Sequence, residues 1–274
     1  MKIGVFDSGF GGLTILKEFL KELPQYDYIY LGDNARTPYG TRSFETVYKY
    51  TLQAVNKLFE LDCKLIILAC NTASSKALRS IQQKNLPQIA PDRRVLGVIR
   101  PSVEALYKYT KTGNVGIIAT SGTVRSESYV MEIKKLYPEM KVFQQAAPMW
   151  VPLVENNEHN SSGADYFVKK YIDELLSQSS EIDTIILGCT HYPLLIDKIK
   201  QFLPKNIKVF NQGEIVAKSL IDYLKRHPEI ERHLDKNGKR NFFTTDLPEN
   251  FETKAQIFLN NAIMPKAQRI CLDQ

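Results

Sequence analysis

Two stretches 119 positions apart nearly repeat each other: Leu65-Ile66-Ile67-Leu68-Ala69-Cys70-Asn71-Thr72 and Thr184-Ile185-Ile186-Leu187-Gly188-Cys189-Thr190-His191. Each is an apolar run, rich in β-branched residues, that breaks into polar residues at a cysteine. An unbroken apolar run of this length fits a strand buried on both faces, as in parallel sheets covered by helices. Each cysteine then stands at the carboxyl end of a parallel strand, the edge at which open α/β sheets bind ligands.

The rest of the chain alternates accordingly. Strand-like runs recur at 3–6, 27–31, 65–69, 95–98, 115–119, 140–144, 184–188 and 207–210. Between them, apolar residues return every three or four positions over Leu13 to Leu23, Phe44 to Leu61, Val124 to Leu136, Tyr166 to Leu176 and Ile215 to Leu224, which predicts helices on both faces of each sheet. A second echo, Ile3-Gly4-Val5-Phe6-Asp7-Ser8-Gly9 against Val115-Gly116-Ile117-Ile118-Ala119-Thr120-Ser121-Gly122, precedes the cysteine echo in the same order. The expected fold is α/β with two pseudo-symmetric lobes, each a mostly parallel sheet flanked by helices, and the active site in the cleft between them. Residues 1–97 plus 211–274 are expected to form the lobe that carries Cys70, and 98–210 the lobe that carries Cys189. The crossings fall near Pro101 and Phe210-Asn211-Gln212-Gly213. The polar stretch from His227 to Lys239, with a final strand and helix, is too little for a third domain and should rejoin the first lobe.

A chain of 274 residues is long enough for two cores, and 43% hydrophobic with 24% charged residues is a globular composition. The net charge of +6 is scattered rather than collected into a stripe, which argues against nucleic acid. No apolar run approaches bilayer length and no basic segment with an apolar core opens the chain, so a cytoplasmic protein without membrane contact is expected. Four cysteines, at 63, 70, 189 and 271, show no Cys-x-x-Cys spacing, so neither a metal site nor a disulfide framework is predicted. Cys63 and Cys271 are read as structural.

Taken singly, Cys70 or Cys189 reads as a small apolar filler. As a pair, each followed at once by amide, hydroxyl or imidazole groups, they read as reactive thiols. Asp7-Ser8-Gly9-Phe10-Gly11-Gly12 follows the first strand and offers a carboxylate, a hydroxyl and backbone donors suited to an anion. Thr14 stands where a dinucleotide fingerprint has its third glycine, so a nucleotide cofactor is disfavoured. In the loop Gly32 to Gly40, the Tyr39 hydroxyl and the Gly40 amide are suited to a carboxylate; the alternative is a turn built on an Asp33–Arg36 pair. Thr120 and Thr123 either bind a polar ligand or cap the next helix. Asp7 is placed to attend Cys70, and His191 or Glu155 to attend Cys189, since a free thiol is mostly protonated at neutral pH and needs such neighbours. Glu155 lies in Trp150 to Asn157, read as a proline-kinked segment outside the clear helices.

Phe6 to Gly12, Gly32 to Gly40, Ala69-Cys70-Asn71-Thr72-Ala73-Ser74 and Gly188-Cys189-Thr190-His191-Tyr192-Pro193, in that order, resemble the signatures of the cofactor-independent glutamate racemases within the aspartate/glutamate racemase group. The resemblance runs through about residue 225. It implies a cytoplasmic, often dimeric isomerase that uses no cofactor and supplies D-glutamate for peptidoglycan. It further implies that Cys70 takes the α-proton from D-glutamate and Cys189 from L-glutamate, with Asp7, His191 and Glu155 assisting. Asp7, Ser8, Tyr39, Gly40, Asn71, Thr72, Thr190 and His191 would bind or orient substrate, with Thr120 and Thr123 nearby. Arg100 and Ser102 depart from the family pattern, where many relatives carry an acidic residue and a glycine.

Two alternatives stay open on the sequence. Aspartate differs from glutamate by one methylene, and pocket depth is not written in the chain. A two-lobed binder of acidic amino acids would want the same anion-binding turns, although it would have no use for paired thiols.

Overall fold

The structure, a computed structural model, describes residues 1–259 and 263–272. Among the described residues the strands are β1 (Lys2–Asp7), β2 (Tyr28–Gly32), β3 (Cys63–Leu68), β4 (Arg94–Gly97), β5 (Asn114–Ala119), β6 (Lys141–Ala146), β7 (Thr184–Gly188), β8 (Lys208–Phe210), β9 (Arg240–Thr244) and β10 (Ala267–Arg269). They form two sheets, β10-β9-β2-β1-β3-β4 and β6-β5-β7-β8, and every pairing is parallel. The cores of the two sheets share one order, since β2-β1-β3-β4 and β6-β5-β7-β8 are the same permutation. The two echoes in the sequence fall on equivalent strands, β1 with β5 and β3 with β7.

Alternation along each strand sorts the apolar residues into layers. Ile3, Val5, Leu65 and Ile67 face one side of the first sheet, whereas Phe6, Ile66 and Leu68 face the other. In the second sheet, Ile118, Ile185 and Leu187 oppose Val115, Ile117 and Ile186. The layer holding Ile67 and that holding Ile185 are one continuous core, so a single apolar mass joins the two lobes. Truncating Ile67 or Ile185 to alanine there costs roughly 2–5 kcal/mol.

Helices cover these faces as their periodicity predicts. Leu13–Glu22 buries Leu13, Ile15, Leu16, Phe19 and Leu20. Phe44–Glu60 and Ser162–Leu176 begin at Ser43 and Ser161, whose hydroxyls accept the Thr46 and Ala164 amides. In two helical regions the structure departs from what the apolar spacing predicts. The expected helix from Val124 to Leu136 is broken into Ser121–Arg125 and Ser128–Leu136, with Glu127 between them at φ +55°. There Ser126 Oγ donates to Thr123 O, and Ser128 Oγ donates to Ser75 O of the first lobe; apolar spacing is blind to such a turn. Trp150–Glu155 is itself a helix, with Pro152 in its first turn, where a missing backbone N–H costs nothing.

The chain passes from the first sheet to the second between β4 and β5 and returns between β8 and β9. The helix Gln212–Arg226 packs on Leu13–Glu22 and on Ile99–Glu104. In the polar stretch that follows, Ile230 and Leu234 are buried, and the Asn237 and Lys239 amides donate to the Asp27 carboxylate. β9 then pairs with β2; the short polar strand β10 beyond it was not foreseen. Cys63 is buried, as a structural thiol should be, but Cys271 is exposed and fills no core. Among the described residues, no helix is long and apolar enough to cross a membrane.

Candidate active site

In each lobe the strand order reverses beside the first strand, so the carboxyl ends of β1 and β3, and of β5 and β7, flank a topological switch point. Asp7-Ser8 and Cys70 emerge at one switch point; Thr120 and Cys189-Thr190-His191 emerge at the other. The two edges enclose a cavity of ≈ 100 Å³. Ser8, Tyr39, Gly40, Cys70, Asn71 and Thr72 line it from one side, and Thr120, Cys189, Thr190 and His191 from the other. Asp7, Thr123 and Glu155 stand behind that lining, each bonded to a residue within it.

Cys70 caps the short helix Asn71–Lys76: its Sγ accepts the Ala73 amide at 3.4 Å and lies 3.5 Å from Ser8 Oγ. Burial pushes its thiol up to about 12, and the Asp7 charge adds to this. The Ser8 and Ala73 hydrogen bonds oppose the shift, and the Cys189 charge raises it further. Only 5% of Cys70 and 6% of Cys189 is exposed, so both thiols stand out of bulk water.

The second thiol has a different neighbour. His191 Nδ1 is 3.9 Å from Cys189 Sγ, and His191 Nε2 is 3.0 Å from Glu155 Oε1. Burial alone would lower the imidazole's pKa; the hydrogen bonds and charges of Cys189 and Glu155 outweigh it and raise the imidazole to about 10. Burial likewise works to raise Glu155, but the imidazole and the Lys254 charge hold its carboxyl below the ordinary range. An imidazolium locked between a thiol and a carboxylate is a reservoir of positive charge beside Cys189.

Asp7, fully buried, accepts the Gly9 amide at 3.0 Å on Oδ2 and the Thr190 hydroxyl at 3.3 Å on Oδ1. Burial raises its pKa against the pull of His191, the Gly9 and Gly12 amides and Thr190. Asp7 therefore meets Thr190 directly and acts on Cys70 through its charge. The lobes touch backbone to backbone, with the Gly122 amide donating to Gly40 O at 2.7 Å, and a β-carbon on Gly40 would lie 2.8 Å from Thr120 Cβ.

Thr72 Oγ1 meets Thr120 Oγ1 at 2.9 Å and Thr123 Oγ1 at 3.3 Å, joining hydroxyls of both lobes at the cavity. Thr120 lines the cavity and is also the cap of the helix Ser121–Arg125. The loop reading divides in the same way. Tyr39 lines the cavity, yet its hydroxyl donates to Asp33, which also receives Arg36 Nε at 2.8 Å. Sequence reasoning missed Tyr129 and Gln212, which are hydrogen-bonded to Asn71. It also missed Pro148, Val151 and Pro152, which add an apolar part to the wall. Apolar periodicity placed Tyr129 in a helix and left Gln212 at the crossing before one, and it had no means of showing what either faces.

Two thiols at equivalent edges of two similar sheets, one beside a carboxylate and one beside an imidazolium, can remove and return a proton on opposite sides of a small bound molecule. Known proteins resemble this chain in sequence and in fold. The chain is 40% identical to the glutamate racemase of Geobacter metallireducens over 262 residues, 95% of this chain and 93% of that protein. Its fold superposes on the crystal structure of glutamate racemase isoform RacE1 from Bacillus anthracis with a TM-score of 0.89 at 34% identity, covering 99% of this chain and 97% of that one. The Francisella tularensis glutamate racemase, solved in complex with D-glutamate, gives 0.87 at 33% identity, covering 99% and 98%. The pattern of the Asp/Glu/Hydantoin racemase family matches residues 12–220, and this chain belongs to that family, among its glutamate racemases.

Proposed function

We propose that the protein interconverts L-glutamate and D-glutamate by proton transfer at the α-carbon between Cys70 and Cys189, without a cofactor, and so supplies D-glutamate for peptidoglycan. The observation that carries this reading is the pair of buried thiols at equivalent strand ends, facing one cavity from two lobes. One thiolate takes the α-hydrogen as a proton and becomes a thiol. The opposite thiol delivers its proton to the other face of the carbanion and is left as the thiolate, so the enzyme ends with its protons exchanged and the substrate inverted. Cys70 acts on D-glutamate and Cys189 on L-glutamate. A binder that does not turn its ligand over has no use for the second thiol.

With no electron sink, the carbanion is stabilised by donors aimed at the substrate carboxylate in a site closed to water. Ser8, Gly40, Asn71, Thr72, Thr120 and Thr190 supply these in the proposal, with Tyr39 and Thr123 holding the wall. Asp7, His191 and Glu155 adjust the proton balance of the two thiols. The homodimer expected from the resemblance belongs to the same proposal, and light scattering of the purified chain decides it.

The test is incubation with L-glutamate in deuterated water without added cofactor, following circular dichroism and α-deuterium together, beside Cys70→Ser and Cys189→Ser. Loss of optical activity with deuterium uptake, abolished in either variant, is the expected result. Exchange with aspartate and not glutamate would replace the substrate; silence with both would overturn the reading.

A further inference from the structure

Behind Asn71 runs a buried chain of hydrogen-bonded side chains whose polarity is set at its far end by a backbone carbonyl. Ser102 Oγ donates to Val98 O at 2.7 Å and so accepts from Gln212 Nε2, 2.8 Å away. Gln212 Nε2 places its other hydrogen on the Tyr129 hydroxyl at 2.9 Å, and Tyr129 donates to Asn71 Oδ1 at 2.7 Å. Asn71 Nδ2 closes the ring by donating to Gln212 Oε1 at 2.9 Å. All four side chains are at most 3% exposed.

Turning the Asn71 amide over would set its oxygen against Gln212 Oε1. Turning Gln212 as well would bring its oxygen toward Val98 O, 3.4 Å from the present Nε2, where two acceptors repel. With Oδ1 occupied by Tyr129, and approached by Gln212 Nε2 at 3.3 Å, the second Nδ2–H is the one polar group of this amide without a partner among the described residues. Asn71 lines the cavity next to Cys70.

We infer that Ser102, Gln212 and Tyr129 are positioning residues that hold the Asn71 amide with an N–H, and not its carbonyl, toward the cavity, as a donor to the substrate carboxylate. The inference rests on the glutamate reading above and deepens it. A carbonyl in that place would face a carboxylate, acceptor against acceptor, at a buried position where such a pair is costly. Ser102 supplies the side-chain acceptor that fixes the Gln212 amide.

The experiment is a double-mutant cycle of Tyr129→Phe with Asn71→Ala, measured as racemisation in both directions with unfolding followed in parallel. Tyr129→Phe is expected to lower kcat/KM about tenfold, mainly through KM. The factor should be equal in both directions because the enantiomers are equally stable. In the Asn71→Ala background the same change should alter kcat/KM by less than about twofold. Equal factors in both backgrounds would overturn the inference. Ser102→Ala, a milder change that keeps the fold if Tyr129→Phe does not, is expected to lose about threefold, again only when Asn71 is present. If the wild type leaves glutamate unexchanged, the reading of the previous section fails. Spectra of protein labelled with ¹⁵N-asparagine, taken without substrate, then decide the amide alone. A slowly exchanging Asn71 amide that Tyr129→Phe makes fast supports the lock, and an unchanged one overturns it.

Discussion

Gly11 and His191 meet across the seam between the lobes with no room for a side chain on the glycine: a β-carbon there would stand 2.4 Å from His191 Nδ1. Nδ1 is the atom that faces Cys189. The same β-carbon would fall 2.3 Å from Thr190 Oγ1, which donates to Asp7. The glycine is thus needed for close approach, and one of its two neighbours, His191, is the group proposed to serve the second thiol.

Gly11→Ala is therefore expected to displace the imidazole and the Thr190 hydroxyl together. Overpacking of this kind costs about 1–3 kcal/mol of stability. Racemisation should fall at least about a hundredfold, because small misplacements of reacting groups have such effects. Kinetics and urea unfolding of the purified variant check both; full activity would show that His191 need not stand where it does.

The Tyr39 hydroxyl donates to a fully buried carboxylate, Asp33, shared with Arg36 and with Thr245 at 2.9 Å. Removing it in Tyr39→Phe takes one donor from a buried charge, a loss of about 1.5–3 kcal/mol. Urea unfolding measures it. A loss near zero would mean that Arg36 and Thr245 satisfy Asp33 unaided and that the hydroxyl is free for other work.

How far the site could be read from the chain depends on what kind of relation places each residue. Cys70 and Cys189 were legible because a strand buried on both faces fixes its own ending, and the residue after it must stand at the sheet edge. Asp7, Ser8 and Thr120 follow from the same logic on β1 and β5. Glu155 was found although its helix was not, since the proline that disguised the helix sits in its first turn. Tyr129 and Gln212 were not legible, for they meet Asn71 across 58 and 141 positions of chain. In the sequence Tyr129 reads as a core position of a helix and Gln212 as a polar residue of the crossing between lobes. The packing of Ser128–Leu136 and of Gln212–Arg226 on Ile99–Glu104 brings them to Asn71.

Thr72→Val keeps shape and removes the hydroxyl that joins Thr120 and Thr123 across the cavity. Those two remain bonded to each other at 3.1 Å, so the expected stability loss is modest, about 1 kcal/mol. The larger effect falls on substrate, with kcat/KM lowered about tenfold or more, because a donor at the carboxylate is gone. Steady-state kinetics in both directions tests this; a variant that loses stability but not kcat/KM would make the trio a structural bridge only.

The raised pKa of His191 gives the fold a dependence on pH whose sign is fixed. The imidazole moves from an ordinary 6.5 to about 10; burial opposes this, but the bonds to Cys189 and Glu155 prevail. Below the ordinary value both folded and unfolded chains hold the proton, and the stabilisation is fully present. As pH rises from there toward about 10, the unfolded chain has released a proton that the folded one keeps. Stability then falls, by up to about 1.4 kcal/mol per pH unit, and the contribution is lost once the folded imidazole itself titrates. Cys63 and Cys70, each pushed up to about 12 by burial, add a decline of the same sign above the thiol's ordinary 9.0. That decline is common to wild type and variant, so Glu155→Gln isolates the imidazole. Losing the carboxylate takes away part of what holds the proton against burial, and the variant's stability should depend less steeply on pH between about 7 and about 9. Urea unfolding across that range provides the comparison. Parallel curves for the two proteins would mean that Glu155 does not hold His191 charged, and the thiol beside it would have to find its counter-charge elsewhere.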